Sequence, residues 1–250
     1  MIRTANPALN DHNFRKPQTI EYGTEMMTIQ GAVNKTAILV ILAFASATFV
    51  WQKFFTSGGD PAIFSGYLTL SAVAAFIISL IIIFKQTSAP ILAPIYAILE
   101  GVVLGAISSL FEMKYPGIVI QAIALTFGTL FCLLLAYKSR LIKATENFKL
   151  GIFAATGGIA LVYLISMILG FFGVHIPFIY DGGIGGIIFS LIVVVIAALN
   201  LVLDFDFIEN AADRGMPKYM EWYSAFGLMV TLVWLYIEIL RLLGKMRERR

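Results

Sequence analysis

Charged residues are scarce in this chain of 250 amino acids. Asp, Glu, Lys and Arg together make up 13% of it and apolar residues 59%, whereas an ordinary soluble domain carries about 25% charge. A surface so poor in charge would not stay dissolved in water. The net charge of +3 also provides no basic face broad enough to bind nucleic acid. The composition therefore excludes a water-soluble enzyme and a nucleic-acid-binding protein.

Cysteine and histidine are nearly absent. Cys132 is the one cysteine, which excludes an intramolecular disulfide and a cysteine-based zinc site. Because Cys132 lies inside an apolar run, we expect it to pack in the core. The two histidines are His12 and His175. His12 lies in the polar N-terminal segment, and His175, close to Pro177, is expected in a solvent-facing loop.

Long apolar runs dominate the rest of the chain. A membrane-spanning helix needs about 20 apolar residues, and seven runs reach that length. They predict one all-α integral membrane domain of seven transmembrane helices over residues 32–244, with a polar tail at 1–31 and a basic tail at 245–250. The runs cover approximately 36–55, 62–84, 91–111, 117–137, 150–172, 182–208 and 222–243.

Small residues mark two of these runs as places for close helix contact. The third run contains Gly101, Gly105 and Ala106, and the fifth contains the segment GIFAATGGIA. Small side chains allow helix backbones to approach each other in a membrane. We therefore expect tight packing of both helices.

The distribution of basic residues predicts the orientation. If all seven runs cross, 11 Lys and Arg residues lie on the side of the N-terminus and 7 on the other side, which favours an N-terminus inside the cell. A re-entrant last run would change this division to 16 and 2. A run of 22 residues is long enough to cross, so we favour seven crossings.

Four acidic residues lie in or at the end of apolar runs, where an ionised carboxylate costs about 2.5 kcal/mol or more at a helix centre. They are Glu100, Asp204, Asp206 and Glu238. Residues that are two positions apart point in directions that differ by about 200° around a helix axis. Asp204 and Asp206 therefore face different sides of their helix. Asp204 is the deeper of the two, and Asp206 is expected near the interface.

Two interpretations of Glu238 remain open. Arg241 follows it by one helical turn, so the two can form a local ion pair near the interface. Alternatively, Glu238 meets Asp204 across two helices and the two carboxyls share a proton, which makes the pair sensitive to pH. Straight, fully crossing helices would place these acids near opposite faces. Glu100 can line the same cavity or be a protonated acid bonded to backbone.

Signatures of several membrane enzymes are missing. The last run contains no lysine for a retinal Schiff base, and neither histidine lies in a span where a rhomboid-like protease needs one. Tyr180 and Asp181 match one half of a presenilin-like aspartyl protease signature, but the other half is absent, as is a Walker-type phosphate loop. We therefore expect a protein that is not an enzyme and has no cofactor.

Three segments resemble the Bax-inhibitor-1 family, also called the transmembrane Bax inhibitor motif family. They are YAILEGVVLGAISSLFEMKYPGIVIQAIALTFGTLF, ALNLVLDFDFIENA and LYIEILRLLG, and the phrases NPALN and MTIQGAVNKT look like its bacterial branch. The similarity covers about residues 27 to 245.

This resemblance implies a seven-helix fold with the last helix surrounded by the others, a pH-sensitive calcium leak, and a carboxylate dyad between the sixth and seventh helices. The sixth-helix aspartate falls on Asp204. The seventh-helix position falls on Glu238, where the family usually has aspartate. The family's basic latch residue has no match, and Lys85 is assigned no role.

Two functional hypotheses follow. In the first, the protein is a passive calcium leak of the bacterial inner membrane, gated by Asp204 and Glu238, whose oxygens suit a hard cation such as calcium. Asp206, Glu100 and Arg241 are secondary. In the second, it is a non-conducting regulatory protein that binds a membrane protease or another membrane partner. Its surroundings are the lipid bilayer in either case. Proton-coupled solute transport is a third, less favoured hypothesis, and an odd number of spans argues against a simple inverted repeat.

Overall fold

The computed structural model describes residues 25–59, 61–173, 179 and 182–249, and this part of the chain folds into seven α-helices joined by short links. A short 3₁₀ turn at Gln86–Ser88 precedes the third helix. The helices are α1 (Ile29–Thr56), α2 (Pro61–Phe84), α3 (Ala89–Lys114), α4 (Ile118–Lys138), α5 (Glu146–Phe171), α6 (Ile184–Asp213) and α7 (Met220–Glu248).

Polar side chains and one glycine define where several helices begin. Thr28 caps α1 by accepting a hydrogen bond from the Gly31 amide at 2.9 Å, and Thr145 caps α5 in the same way. These bonds satisfy amides that have no partner inside a first helical turn. Gly117, with φ of 80°, makes the turn before α4, where a side chain would be strained.

The length and composition of the helices confirm an all-α membrane protein. Within the described residues, six helices are long and apolar enough to cross a membrane. The other, α2, is 24 residues long and has no charged residue. The last helix is continuous over 29 residues, about 43 Å at 1.5 Å per residue. It is therefore long enough to cross without returning to its own side.

The seventh helix is the central element. It packs against α1, α3, α4 and α6, and it is the most buried of the six candidate spans. By contrast, α2 packs mainly against α3, and α5 mainly against α6. This arrangement confirms the expectation that the last helix is surrounded by the others.

The prediction of tight packing is confirmed for α3 but wrong for α5. A Cβ atom on Gly101 would lie 2.3 Å from the Ala43 carbonyl oxygen, and one on Gly105 would lie 2.5 Å from the Ala47 oxygen. Only glycine permits this approach of α1 to α3. The α5 glycines at positions 151, 157 and 158 have no atom within 4 Å of such a Cβ among the described residues.

Helices at both ends of the domain extend beyond the predicted spans. The first helix starts at Ile29, three residues before the predicted domain boundary, because Thr28 caps it. The last helix continues to Glu248, so most of the predicted basic tail is helical.

The sixth helix runs to Asp213, which places both Asp204 and Asp206 inside it. Residues 1–24 of the predicted polar tail, including His12, lie outside the described residues.

Candidate functional site

Asp204 lies on α6 where it faces α7. Its Oδ2 atom is buried and has no hydrogen-bond partner among the described residues, and the side chain of Thr231 of α7 lies beside it. One turn earlier, Asn200 donates to Thr156 of α5 at 2.8 Å. Asp204 therefore lies in a small polar region between α5, α6 and α7.

Glu238 is almost completely buried on α7, with 1% of its surface exposed. Its Oε1 atom accepts hydrogen bonds from the Tyr163 hydroxyl at 2.9 Å and from Arg241 at 3.1 Å. The Arg241 guanidinium also lies 5.5 Å from the centre of the Tyr163 ring, in cation–π range. The Oε2 atom is buried and has no hydrogen-bond partner among the described residues.

The two acids have different neighbours and are not joined by a hydrogen bond. Thr231, the neighbour of Asp204, and Glu238 are seven residues apart on α7. This separation corresponds to about 10 Å along the helix axis. Since α6 and α7 are linked by six residues, 214–219, they run in opposite directions and the two acids occupy different levels. The local ion pair of Glu238 with Arg241 is present, as one interpretation of the sequence expected. The role of either acid in gating stays a prediction.

The other predicted residues lie outside this region. Asp206 forms an ion pair of 2.8 Å with Lys149 at the end of the helix bundle, which fits its expected interfacial position. On α3, Glu100 lies beside the Tyr96 side chain, one helical turn away. Cys132 is exposed, so the prediction that it packs in the core is wrong. Cys132 faces outward on α4, and the residues around it are apolar because this side of the helix faces lipid. His175, Tyr180 and Asp181 lie outside the described residues.

Sequence reasoning missed a buried acid in the first turn of α7. The Glu221 side chain has no exposed surface and forms ion pairs with Lys35 at 2.8 Å and with Lys218 at 3.3 Å. The Glu221 carboxylate, as a hydrogen-bond acceptor, raises the pKa of Lys218 above its usual value. The one local signal is that Glu221 directly precedes the last apolar run, 222–243. Its partner Lys35 is 186 positions away, however, and no local pattern connects them.

A buried base near the other end of α7 was also missed. Lys245 is 7% exposed and donates hydrogen bonds to the Ile179 and Gly186 carbonyl oxygens at 2.6 and 3.1 Å and to the Ser190 hydroxyl at 2.8 Å. These bonds tie the end of α7 to the start of α6. The sequence predicted this lysine only as the first residue of the basic tail, 245–250.

An apolar cavity of about 400 Å³ lies between α1, α3, α4 and α7. Its lining includes the Ser108 and Tyr236 side chains, whose hydroxyls are 2.7 Å apart. Glu112 is at one end of the cavity and accepts hydrogen bonds from the Gly117 and Val119 amides at the start of α4. Glu100, Asp204 and Glu238 do not line this cavity, and a cavity shared by these acids stays a prediction.

The hydroxyl pair in this cavity provides a stability test. Replacing Tyr236 with Phe should lower the free energy of unfolding by about 1 kcal/mol, because the buried Ser108 hydroxyl loses its partner. The double variant Ser108→Ala/Tyr236→Phe should lose less than the single variant, since both ends of the bond are then apolar. Thermal unfolding in detergent measures both. A double variant less stable than Tyr236→Phe would show that the hydrogen bond is not the cause.

One comparison with known proteins identifies a relationship. A family described as Bax inhibitor 1 like has a model that matches residues 6–248, nearly the whole chain. No curated protein and no solved structure matches the chain. The match agrees with the resemblance found in the sequence and with the all-helical membrane architecture.

Proposed function

Because the chain belongs to the Bax inhibitor 1 like family, we propose that it is a passive, pH-sensitive calcium leak in which Asp204 and Glu238 carry the gate. The observation that supports this proposal is the buried carboxylate oxygen without a hydrogen-bond partner on each acid, next to or on the central helix. An unpartnered buried polar atom is costly. Its presence on both acids fits groups whose charge or proton is used in function.

Carboxylates in such positions have two chemical states with different consequences. When ionised, their oxygens attract a hard cation such as calcium. When the carboxylates are protonated, they lose their negative charge and no longer bind a cation. Because Glu238 lies about 10 Å along α7 from Thr231, the neighbour of Asp204, the proposal treats the two acids as two positions in series along one path. Tyr163 and Arg241 hold the Glu238 carboxylate in place.

Calcium enters this proposal as the transported ion. Among the described residues, no group of three His, Cys, Asp and Glu side chains is placed to hold a metal ion. The two acids are separate contacts for a passing cation, each with one free oxygen. The proposal assigns the protein no cofactor and no enzymatic activity.

We also propose the bacterial inner membrane as the location, with the start of α1 inside the cell. The ends of α4 and α6 and the starts of α5 and α7 then lie on the same side as the start of α1. This side carries the larger number of basic residues, which is typical of cytoplasmic loops. Among them, Lys149 and Arg140 form ion pairs with Asp206 and Glu209 of α6.

Calcium-dye flux in proteoliposomes tests the function directly. The wild type should pass calcium at a rate that changes at least about threefold between about pH 5 and about pH 8, the range over which buried carboxyls titrate. Asp204→Asn and Glu238→Gln should each flatten or shift this pH profile. Asp206→Asn is the matched control, since Asp206 is two residues from Asp204 but pairs with Lys149 at the bundle end; its profile should match that of the wild type.

Two outcomes would contradict the proposal. If wild type and variants are equally tight to calcium while their thermal unfolding shows that they are folded, the protein is not a calcium leak, and capture of a membrane protease or other membrane partner becomes the function to test. If Asp206→Asn changes the profile as much as Asp204→Asn, the gate is not at the buried acids.

A further inference from the structure

The segment before α1, Glu25–Thr28, lies along the link between α6 and α7, and we refer to it as the strap. The Met27 amide donates to the Met216 carbonyl oxygen at 2.7 Å, and the Lys218 amide donates to the Glu25 carbonyl oxygen at 2.9 Å. Two backbone hydrogen bonds thus join parts of the chain that are about 190 residues apart. The strap is fixed to the residues that lead into α7.

Glu221 closes the contact between the strap and α7. Its Oε1 atom accepts hydrogen bonds from both the amide and the hydroxyl of Thr28, each at 3.0 Å. Its Oε2 atom pairs with Lys35 on α1 at 2.8 Å. A Cβ atom on Gly31 would lie 1.9 Å from Glu221, so the carboxylate occupies the space that a side chain at Gly31 would need. The strap, α1 and α7 therefore meet at one buried carboxylate.

The strap also covers the next turn of α7. Met27 is 3% exposed, and its sulfur atom lies 3.9 Å from the Ser224 hydroxyl. From Glu221 the same continuous helix leads to Glu238, 17 residues later and about 25 Å further along the axis. A continuous helix of this kind is a rigid element able to carry a displacement of its first turns along its length.

We infer that Glu221 is a coupling residue: it holds the strap against the first turns of α7, and release of the strap loosens α7 and raises the leak. Only the effect on the leak rests on the proposed function. The coupling of the strap to α7 stands on the contacts of Glu221 and is measured separately. The strap thereby regulates the position of the central helix.

Thiol labelling measures the coupling without any assay of flux. In a Cys132→Ser background, a single cysteine at Met27 or at Ser224 reports the strap or α7, since both positions are 3% exposed. Adding Glu221→Gln should raise the maleimide labelling rate about tenfold at both positions, because buried sites label through local opening. Glu25→Gln is the matched control. It removes an exposed contact to the same Lys218 and should change both rates by less than about twofold.

A disulfide then tests the link to the leak. Met26 and Pro217 form an antiparallel bridge, and directly opposed residues lie in the Cα range of a disulfide. In the Cys132→Ser background, Met26→Cys/Pro217→Cys should return the flux of Glu221→Gln to the wild-type rate when oxidised. Adding a reductant should raise it again.

The outcomes separate this inference from the proposed function. Faster labelling at both positions together with a reversible effect of the disulfide on flux supports it. Faster labelling at residue 27 alone, or at neither position, overturns the coupling whatever the flux. If the wild type conducts no calcium, the proposed function fails, and the labelling rates still decide whether the strap holds α7. If Glu221→Gln does not fold, Lys35→Gln removes the shorter ion pair and takes its place in both assays.

Discussion

Replacing Gly101 with alanine should destabilise the protein by about 2–3 kcal/mol, the upper part of the range of about 1–3 kcal/mol for forcing an extra carbon into a packed core. The added Cβ would lie 2.0 Å from the Ser46 hydroxyl and 2.3 Å from the Ala43 carbonyl oxygen. A hydroxyl can rotate away, but a helix carbonyl cannot move without its helix. Since α1 and α3 share an extensive interface, they must separate to admit the methyl group. Thermal unfolding in detergent measures the loss.

The controls for Gly101→Ala identify the cause of the loss. A Cβ atom on Gly128 of α4 would have no atom within 4 Å among the described residues, so Gly128→Ala should leave stability unchanged or raise it by about 0.5–1 kcal/mol. Combining Gly101→Ala with Ala43→Gly should not restore stability, because the obstacle is the backbone of Ala43 and not its side chain. Equal unfolding temperatures of Gly101→Ala and Gly128→Ala would contradict the role of close packing.

The sequence predicted the helices well because the apolar runs are long and the polar links between them are short. It did not predict which side of each helix faces lipid. In a membrane the outside and the core are both apolar, so hydrophobicity does not distinguish them. This is why Cys132 was expected in the core and is exposed, and why the α5 glycines were expected at a tight contact.

The acids within the helices were predicted as a set, but their arrangement was not. The sequence identified Asp204 and Glu238 as unusual, since charge is costly at membrane depth. It could not give their separation, because that depends on the link 214–219 and on where each helix starts. The structure places Glu238 beside Tyr163 of α5 and Asp204 beside Thr231 of α7. The gating role of each acid is therefore tested with single variants.

Buried charges near the ends of α7 could not be predicted from local sequence. Charged residues at the end of an apolar run are usually solvated or interfacial, and Lys245 was assigned to the basic tail, 245–250. Burial of Glu221 requires Lys35 and Thr28 from the other end of the chain, and burial of Lys245 requires Ile179 and the first turns of α6. Only the tertiary structure brings these groups together.

Replacing Lys245 with methionine should lower the free energy of unfolding by about 3 kcal/mol. Methionine fills most of the space of the lysine side chain but donates no hydrogen bond. The buried Ile179 and Gly186 carbonyl oxygens and the Ser190 hydroxyl would then lose a charged donor. Each hydrogen bond to a charged group is worth about 1.5–3 kcal/mol, and partial replacement by water and by other contacts reduces the sum. Thermal unfolding in detergent measures the change.

Lys53→Met is the matched control for Lys245→Met, because Lys53 is exposed near the end of α1 and its ammonium group lies 5.1 Å from the Phe49 ring. An exposed cation–π contact is worth about 0.5–1 kcal/mol, so this variant should unfold close to the wild type. If the two variants lose equal stability, the loss comes from removing a positive charge and not from the buried hydrogen bonds. A larger loss for Lys245→Met means that α7 is fixed at its far end by a buried charge, as Glu221 fixes its first turn. The central helix would then be held at both ends by charged groups whose partners lie outside it, with Glu238 between them.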